Sequence, residues 1–219
     1  MFVKKTVFIL GAGASIPYGL PSGAELVRQI IEKLAGPSNA NNAVILSQIH
    51  KASGNPQLER DALEDFRKTL EESREQSIDA FLQNHMQFEP QAKRAIAAMI
   101  LMGEVKKSIV RPSGDFNHMD WHPLLLPMLN ASYEDFHRNS VGFITYNYDR
   151  SLEEFLFGAF KSREAGKRSE DDWAKRLKEC IPIFHLHGQV GQHKAFADNQ
   201  ANVVKYGDSW MADNIRTAS

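Results

Sequence analysis

The segment that most constrains this fold is an apolar run ending in two glycines one residue apart. It reads Val7-Phe8-Ile9-Leu10-Gly11-Ala12-Gly13-Ala14-Ser15. A run of this length, rich in β-branched residues, predicts a buried parallel strand. We expect Gly11 to allow a sharp turn, Gly13 to leave backbone amides bare for a pyrophosphate, and Ser15 to cap the next helix or bind a phosphate oxygen. The segment predicts a nucleotide-phosphate loop, with a ligand-free turn as the alternative.

This loop departs from the two common nucleotide fingerprints. Ile16 occupies the third glycine position of the dinucleotide motif, and no Gly-Lys-Ser/Thr follows as in a Walker motif. Glu32 lies at the distance of the ribose-binding acid, but it falls in a charged helical pattern typical of a solvated face. An ordinary Rossmann dehydrogenase is therefore disfavoured.

Composition limits the remaining classes of protein. The 219 residues suffice for one α/β domain with a helical insertion, and a net charge of −1 gives no overall attraction to nucleic acid. The basic residues Lys161, Arg163, Lys167 and Arg168 are interpreted as a solvated helix end or loop, with a local basic patch as the alternative. Cys180 is the single cysteine, which excludes an internal disulfide framework and a Cys-rich zinc ribbon. No signal peptide or membrane-spanning run is found, so we expect a cytoplasmic protein.

Helices are predicted for most of the chain before residue 130. Ser22, with Glu25 three residues later, predicts a helix start, and that helix should end near Ala35. A short helix is expected over 44–52, and residues 57–130 predict a largely helical insertion. One apolar face of this insertion is predicted from the spacing of Leu58, Ala62, Phe66 and Leu70. A later helix over 90–110 has the expected core residues Ile96, Met99, Ile100 and Val105, and another runs from His122 to about Asn130.

Two further strands are predicted in the second half of the chain. Val141–Thr145 is followed by Asn147 and Asp149, and a run over 181–188 ends in His187 and a glycine. Helices are expected between them at about 150–161 and 169–179, and the tail, 189–219, is polar and poorly patterned. Because ligands bind beyond the carboxyl ends of parallel strands, the three strand ends predict one shared crevice.

An ordered set of short motifs connects these strand ends. The motifs are Gly-Ala-Gly-Ala-Ser at 11–15, Gly-Leu-Pro-Ser at 19–22, Ile-Asp-x-Phe-Leu at 78–82, Thr-x-Asn-Tyr-Asp at 145–149 and His-Gly at 187–188. In this order they resemble the sirtuin-like NAD-binding fold, and more narrowly the sirtuin-like domains of bacterial antiphage defence proteins. The resemblance implies an α/β class with a Rossmann-like parallel sheet, helices on both faces and a helical insertion at about 57–130, in a single domain over 1–219.

Departures from the family pattern limit which of the family's activities this chain is expected to have. Protein deacetylases of this family carry Asp-Phe-Arg after a Gly-Ile-Pro turn and two Cys-x-x-Cys pairs for zinc. Here Ser22, Gly23 and Ala24 follow the turn and one cysteine is present, which argues against a deacetylase. No strand with the family's Gly-x-Ser turn for adenosine is found after His187. We therefore expect a chain truncated at its C-terminus, or a partner that completes this pocket.

The resemblance implies cleavage of the nicotinamide–ribose bond of NAD to give nicotinamide and ADP-ribose, in an antiphage effector. NAD is then the substrate and no metal is expected. The expected partners are a second copy of the chain or a defence-complex protein, without nucleic acid or a membrane. Asn147 is expected to orient a ribose hydroxyl or the attacking water, and His187 to accept a proton. The residues expected to bind NAD are Gly11, Ala12, Gly13, Ala14, Ser15, Asp79, Thr145, Tyr146, Asp149 and Gly188.

Several alternatives stay open from the sequence. Asp79 either contacts the ribose or caps a helix, and Asp149 is expected to cap the next helix rather than act in catalysis. Strand alternation places His185 on the same face as His187, but no further ligand of fitting spacing favours a metal. His118 and His122 are four residues apart, although Pro123 disfavours a helix at His122. Two other functions also remain: a module that senses NAD or ADP-ribose without turnover, and an NAD-dependent ADP-ribosyl transferase.

Overall fold

The computed structural model describes residues 1–36, 40–106, 109, 120–163, 167–207 and 211–219. His118 and the predicted helix end at 110 lie outside the described residues. Across these described residues there are three parallel strands, β1 Thr6–Leu10, β2 Val141–Thr145 and β3 Ile183–His185. The helices before β2 are α1 Gly23–Leu34, α2 Ala40–Ala52, α3 Pro56–Ser73, α4 Ile78–Asn84, α5 Glu89–Gly103 and α6 His122–Met128. The helices after β2 are α7 Ser151–Arg163, α8 Glu170–Cys180 and α9 Ala212–Ala218.

The three strands form one parallel sheet in the order β1-β2-β3. Their last residues are in register, because Thr145 pairs with Leu10 on one side and with His185 on the other. The chain segments that follow the strands therefore begin side by side at one edge. This confirms the α/β class and the parallel sheet, and explains why distant sequence motifs meet.

Only one face of this sheet is covered by described residues. Phe143 of β2 is fully buried against α7 and α8, whose core residues include Phe160 and Leu177. On the opposite face, Val7 and Ile9 are 61% and 70% exposed. The expectation of helices on both faces is wrong for the described part of the chain, because the remaining helices pack against one another instead.

Those helices form a second core beside the sheet. It joins α1 to α5 with α9, through residues such as Ile30, Phe66 and Ile215. This helical core begins earlier than residue 57, and it includes the C-terminal helix. By contrast α6, which falls inside the expected insertion, packs through Leu125 on the core under the sheet. The tail over 189–219, for which the sequence predicts no regular pattern, also packs on the helical core, where Val190 and Val204 are buried.

Local helix predictions show mixed outcomes. Ser22 caps α1, since its hydroxyl accepts the Glu25 N–H at 3.2 Å, and α1 ends where expected. In α3 the predicted apolar face is confirmed at Phe66 and Leu70, which are fully buried. At the start of the helix it is wrong, because Leu58 is 70% exposed whereas Glu59 and Leu63 are buried. The helix predicted over 90–110 ends at Gly103.

The core predicted for that helix is largely correct. Ile96, Met99 and Ile100 are buried, but Val105 lies beyond the end of α5 and is 40% exposed. His122 is the first residue of α6, contrary to the expectation from Pro123. A proline is tolerated in the first turn of a helix, where its missing N–H would have no partner within the helix.

Candidate active site

The loop after β1 is a tight turn in which neither glycine is conformationally required. Gly11 is extended, with φ −104° and ψ −178°, so the expected role of Gly11 in a sharp turn is wrong. Residues Ala12–Ala14 form one 3-10 turn, closed by hydrogen bonds from Ala14 N–H to the Gly11 carbonyl and from Ser15 N–H to the Ala12 carbonyl. A Cβ added at Gly11 or Gly13 would meet no heavy atom within 4 Å. The glycines therefore leave bare backbone facing open space.

Asn147 joins the loop after β1 to the turn after β2. Its Nδ2 donates to the Gly11 carbonyl at 2.9 Å and to Ser15 Oγ at 2.7 Å. The Ser15 hydroxyl makes no capping hydrogen bond, so the helix-cap alternative for Ser15 is wrong. Because the Gly11 carbonyl can only accept, the amide orientation of Asn147 is defined. Its Oδ1 has no hydrogen-bond partner among the described residues.

The rest of the turn after β2 is held by its own side chains. Thr145 Oγ1 accepts the Asn147 N–H at 3.0 Å. Asp149 Oδ1 accepts the N–H of Ser151 at 3.0 Å and its hydroxyl at 2.5 Å. Asp149 thus satisfies the first residue of α7, as the capping alternative predicts. Tyr146 is 47% exposed, with its ring 5.4 Å from that of His187.

His187 lies in the turn that follows β3 and is paired with Asp79 of α4. The His187 Nδ1 to Asp79 Oδ2 distance is 3.2 Å, and Nε2 has no partner among the described residues. Ser77, not Asp79, caps α4, because its hydroxyl accepts the Ala80 N–H at 3.0 Å. The helix-cap alternative for Asp79 is therefore wrong, and its carboxylate is free to orient the imidazole.

Tyr148 is a site residue that sequence reasoning missed. Its hydroxyl donates to Asp79 Oδ1 at 2.7 Å, so this carboxylate holds both Tyr148 and His187. Burial, followed by the hydrogen bond to Asp79, raises the pKa of Tyr148. The phenol stays protonated at neutral pH and acts as a fixed donor. Its position in the Thr-x-Asn-Tyr-Asp motif was the available signal.

These side chains line one crevice of about 160 Å³ at the carboxyl end of the sheet. Seven of the residues expected from the sequence border it, namely Ala12, Ser15, Asp79, Tyr146, Asn147, Asp149 and His187. Ser22 and Gly23 add the N-terminus of α1 to its wall. Gly19 is in the left-handed region, with φ +88°, and so lets the chain turn before α1.

The other expected residues occupy supporting positions. Gly11 contributes the carbonyl that binds Asn147, and Gly13 lies in the turn. Ala14 and Thr145 line a separate, smaller chamber behind Asn147, about 10 Å³ in volume, which has room for about one water molecule. Gly188 follows His187 with φ +83°, a conformation that disfavours other residues.

His185 and His187 do not share a face, contrary to the strand alternation expected for 181–188. Strand β3 ends at His185, and the turn that follows redirects His187. The side chain of His185 is 6% exposed and that of His187 is 36% exposed. They bind different partners, which removes the geometric basis for a shared metal.

His122 lines the small chamber from the opposite side. Its ring stacks on Tyr18 at a centroid distance of 3.8 Å and on Phe155 at 4.7 Å. Neither ring nitrogen has a hydrogen-bond partner in the part of the chain that the structure describes. Burial lowers the pKa of His122 to about 3, so the ring is neutral at physiological pH.

Comparison with protein-family models, with curated proteins and with solved structures returned no match. Within the described ranges no group of three or more His, Cys, Asp or Glu side chains is arranged to hold a metal ion. The same ranges contain no helix with the length and apolar character needed to cross a membrane.

Proposed function

We propose that this chain hydrolyses NAD, releasing nicotinamide and ADP-ribose, as an effector of bacterial antiphage defence. The observation that carries the proposal is the meeting of Asn147 and His187 at the same crevice as the glycine loop. Asn147 and Gly11 alone are 136 residues apart in the sequence, and His187 lies further along the chain. Asn147 Oδ1 and His187 Nε2 each have no hydrogen-bond partner among the described residues, as a substrate site requires.

Asn147 supplies an oriented acceptor. Both donor contacts of its amide are used by Gly11 and Ser15, which leaves Oδ1 to accept from a ribose hydroxyl or from water. Cleavage of the N-glycosidic bond builds positive charge on the ribose, as in glycoside hydrolysis. A fixed amide oxygen both stabilises this charge and holds the nucleophile without reorganising during the reaction.

His187 supplies the base. Asp79 accepts the Nδ1 proton of His187 and so leaves Nε2 as the site that binds a proton. The bond between ribose C1′ and the nicotinamide nitrogen breaks, and its electron pair leaves with neutral nicotinamide. The water oxygen bonds to C1′ as its proton passes to Nε2. The developing imidazolium is stabilised by Asp79.

The glycine loop and α1 suit the diphosphate. Bare backbone at Gly13 and the N-terminal amides of α1 beside Gly23 present positive partial charge. The crevice volume of about 160 Å³ is below the range of about 300–1,000 Å³ for whole small-molecule ligands. It therefore fits one end of NAD, which we assign to the nicotinamide riboside.

The test is nicotinamide release from NAD by the purified chain beside two histidine variants. His187→Ala should lower the rate by about 10²–10⁴-fold, because it removes the base. His137→Ala is the matched control, since His137 is exposed and precedes β2 at the opposite end of the sheet. Equal rates for both variants would refute the mechanism.

Product analysis separates the other functions. Binding of NAD that stays intact would indicate a sensing module, and ADP-ribose attached to protein or nucleic acid would indicate a transferase. Hydrolysis predicts equal amounts of free nicotinamide and free ADP-ribose.

A further inference from the structure

Both ring nitrogens of His185 face groups that can only accept hydrogen bonds. Nδ1 lies 2.8 Å from the Asn147 carbonyl oxygen, and Nε2 lies 2.7 Å from Glu153 Oε1. A backbone carbonyl and a carboxylate have no proton to donate. When Glu153 is ionised, both bonds form together only if His185 carries two N–H groups, so that a cationic His185 is paired with an anionic Glu153.

This ion pair is enclosed behind the candidate site. The side chains of His185 and Glu153 are 6% and 3% exposed. The pair links β3 to α7 and reaches the turn after β2 through the Asn147 carbonyl. Charge-assisted hydrogen bonds of this kind are shorter and stronger than neutral ones.

Asn147 is held on every polar atom except one. Its N–H is bound by Thr145, its carbonyl by His185, and its Nδ2 by Gly11 and Ser15. His185 is the only charged group among these contacts. Loss of the His185 contact frees the peptide plane from which the amide side chain projects.

We propose that the His185–Glu153 pair is a buried charged clamp that positions Asn147 for catalysis. The proposal rests on the hydrolase function, and it makes His185 and Glu153 positioning residues that do not touch NAD. A misplacement of about 1 Å can lower an enzymatic rate on the order of 10²-fold. The clamp thus controls turnover more than substrate binding.

The electrostatic surroundings support the ionised form. Burial alone would lower the pKa of His185, but the charge and hydrogen bond of Glu153 raise it overall. Burial would likewise raise the pKa of Glu153, yet His185 brings it below its usual value. Asp149 adds to the effect on His185, and His193 to that on Glu153. Neutral His122 borders the chamber from α6.

The two shifts define a pH window for the pair. A histidine with a raised pKa stabilises the fold fully below its ordinary pKa of 6.5, and the effect is lost as pH rises through its folded value. A glutamate with a lowered pKa stabilises the fold above 4.5, and the effect is lost as pH falls through its folded value. Between pH 4.5 and 6.5 the clamp is at full strength.

Helix α7 also carries a matched control. Glu154 Oε2 lies 2.9 Å from Nε2 of His193, a ring whose side chain is 2% exposed. The other nitrogen of His193 accepts the Ala195 N–H at 3.2 Å and makes no contact with Asn147. The two pairs thus differ in their link to the candidate site.

The experiment compares His185→Leu, Glu153→Gln and Glu154→Gln by nicotinamide release. His185→Leu should lower kcat on the order of 10²-fold with little change in KM. Glu153→Gln should retain more activity, because its amide can donate to Nε2 while Nδ1–H still binds Asn147. In the wild type, kcat should decline at alkaline pH as His185 loses its second proton. In Glu153→Gln this decline should be absent, because the introduced glutamine amide donates to a neutral His185 ring. Glu154→Gln should leave kcat unchanged.

A second readout needs no NAD. The NMR signals of the Asn147 side-chain amide should shift in His185→Leu and stay in place in Glu154→Gln. The His185 ring should titrate at lower pH in Glu153→Gln than in the wild type. Unchanged Asn147 signals in a folded His185→Leu would overturn the clamp. If His185→Leu does not fold, an unchanged His185 titration in Glu153→Gln would overturn it instead. An inactive wild-type protein would instead overturn the hydrolase function, and these signals would still decide the clamp.

Discussion

The polar groups on the two sides of the turn over 145–151 differ in whether the protein satisfies their hydrogen bonds. On the crevice side, Asn147 Oδ1 and His187 Nε2 have no partner among the described residues. On the inner side, Glu153, His185 and Arg150 are buried and fully engaged. The comparison indicates that charge on the inner side supports the backbone, whereas charge on the crevice side is available to a ligand.

The largest effect is expected on the inner side, from Glu104→Ala. Glu104 and Arg150 form an ion pair with both side chains fully buried, and Arg150 cannot lose its proton to relieve the charge. Removing Glu104 should lower the free energy of unfolding by about 3–5 kcal/mol. Urea unfolding measures this. Glu32→Ala, in an exposed pair with Arg28, should cost about 0–1 kcal/mol; equal losses would contradict the distinction.

On the crevice side, Asp79→Asn should reduce activity without a comparable loss of stability. The asparagine keeps the shape but loses the charge that stabilises a protonated His187. We expect nicotinamide release to fall roughly 10–10²-fold, less than removal of the base itself. Asp65→Asn, at an exposed position of α3, is the control. Full activity in Asp79→Asn would show that His187 works without this carboxylate.

The inner side also predicts a pH effect that His122→Phe should remove. The folded-state pKa of His122 is about 3, against 6.5 ordinarily. Below pH 6.5 the unfolded chain takes up the proton first, so stability falls as pH falls. At pH 5.5 this costs on the order of 1 kcal/mol, and the variant should not show it. Unfolding at pH 7.5 and 5.5 tests the prediction, which fails if both proteins lose the same stability.

The smallest effect on stability is expected from Gly13→Ala on the crevice side. A Cβ there meets no heavy atom within 4 Å, so the free energy of unfolding should change by less than about 0.5 kcal/mol. Nicotinamide release should nevertheless fall, because the methyl group occupies space that the diphosphate needs. Gly158→Ala, at an equally open position in α7, should leave release unchanged. Wild-type activity in Gly13→Ala would mean that no ligand approaches this loop.

The sequence predicted the strand positions well where local pattern was sufficient. β1 and β2 are apolar runs that end in polar or glycine turns, and both positions are confirmed. The burial predicted for β1 is wrong, because none of its residues is fully buried and Val7 and Ile9 are exposed. β3 was predicted too long because the apolar run continues past His185, whereas pairing with β2 covers only three residues. The turn that redirects His187 depends on this long-range pairing, which no local pattern shows.

The helical errors have similar causes. Leu58 was assigned to the apolar face of α3 because it lies at a spacing of four residues from the next apolar position. An α-helix repeats every 3.6 residues, so residues spaced strictly by four move gradually off one face. Glu59 takes the buried position because Arg94 of α5 binds it at 2.8 Å. The pairing of Asp79 with His187 likewise joins residues from distant segments. The sequence motifs identified these residues as candidates, but only the fold shows their partners.

The most direct test of the central claim is the rate of nicotinamide release by Asn147→Ala, measured beside Asn130→Ala. Asn130 is exposed after α6, so its variant should match the wild type. We predict that Asn147→Ala loses activity on the order of 10²-fold while keeping a cooperative thermal unfolding transition. If a folded Asn147→Ala releases nicotinamide at the wild-type rate, the crevice around Asn147 is not the site of NAD cleavage.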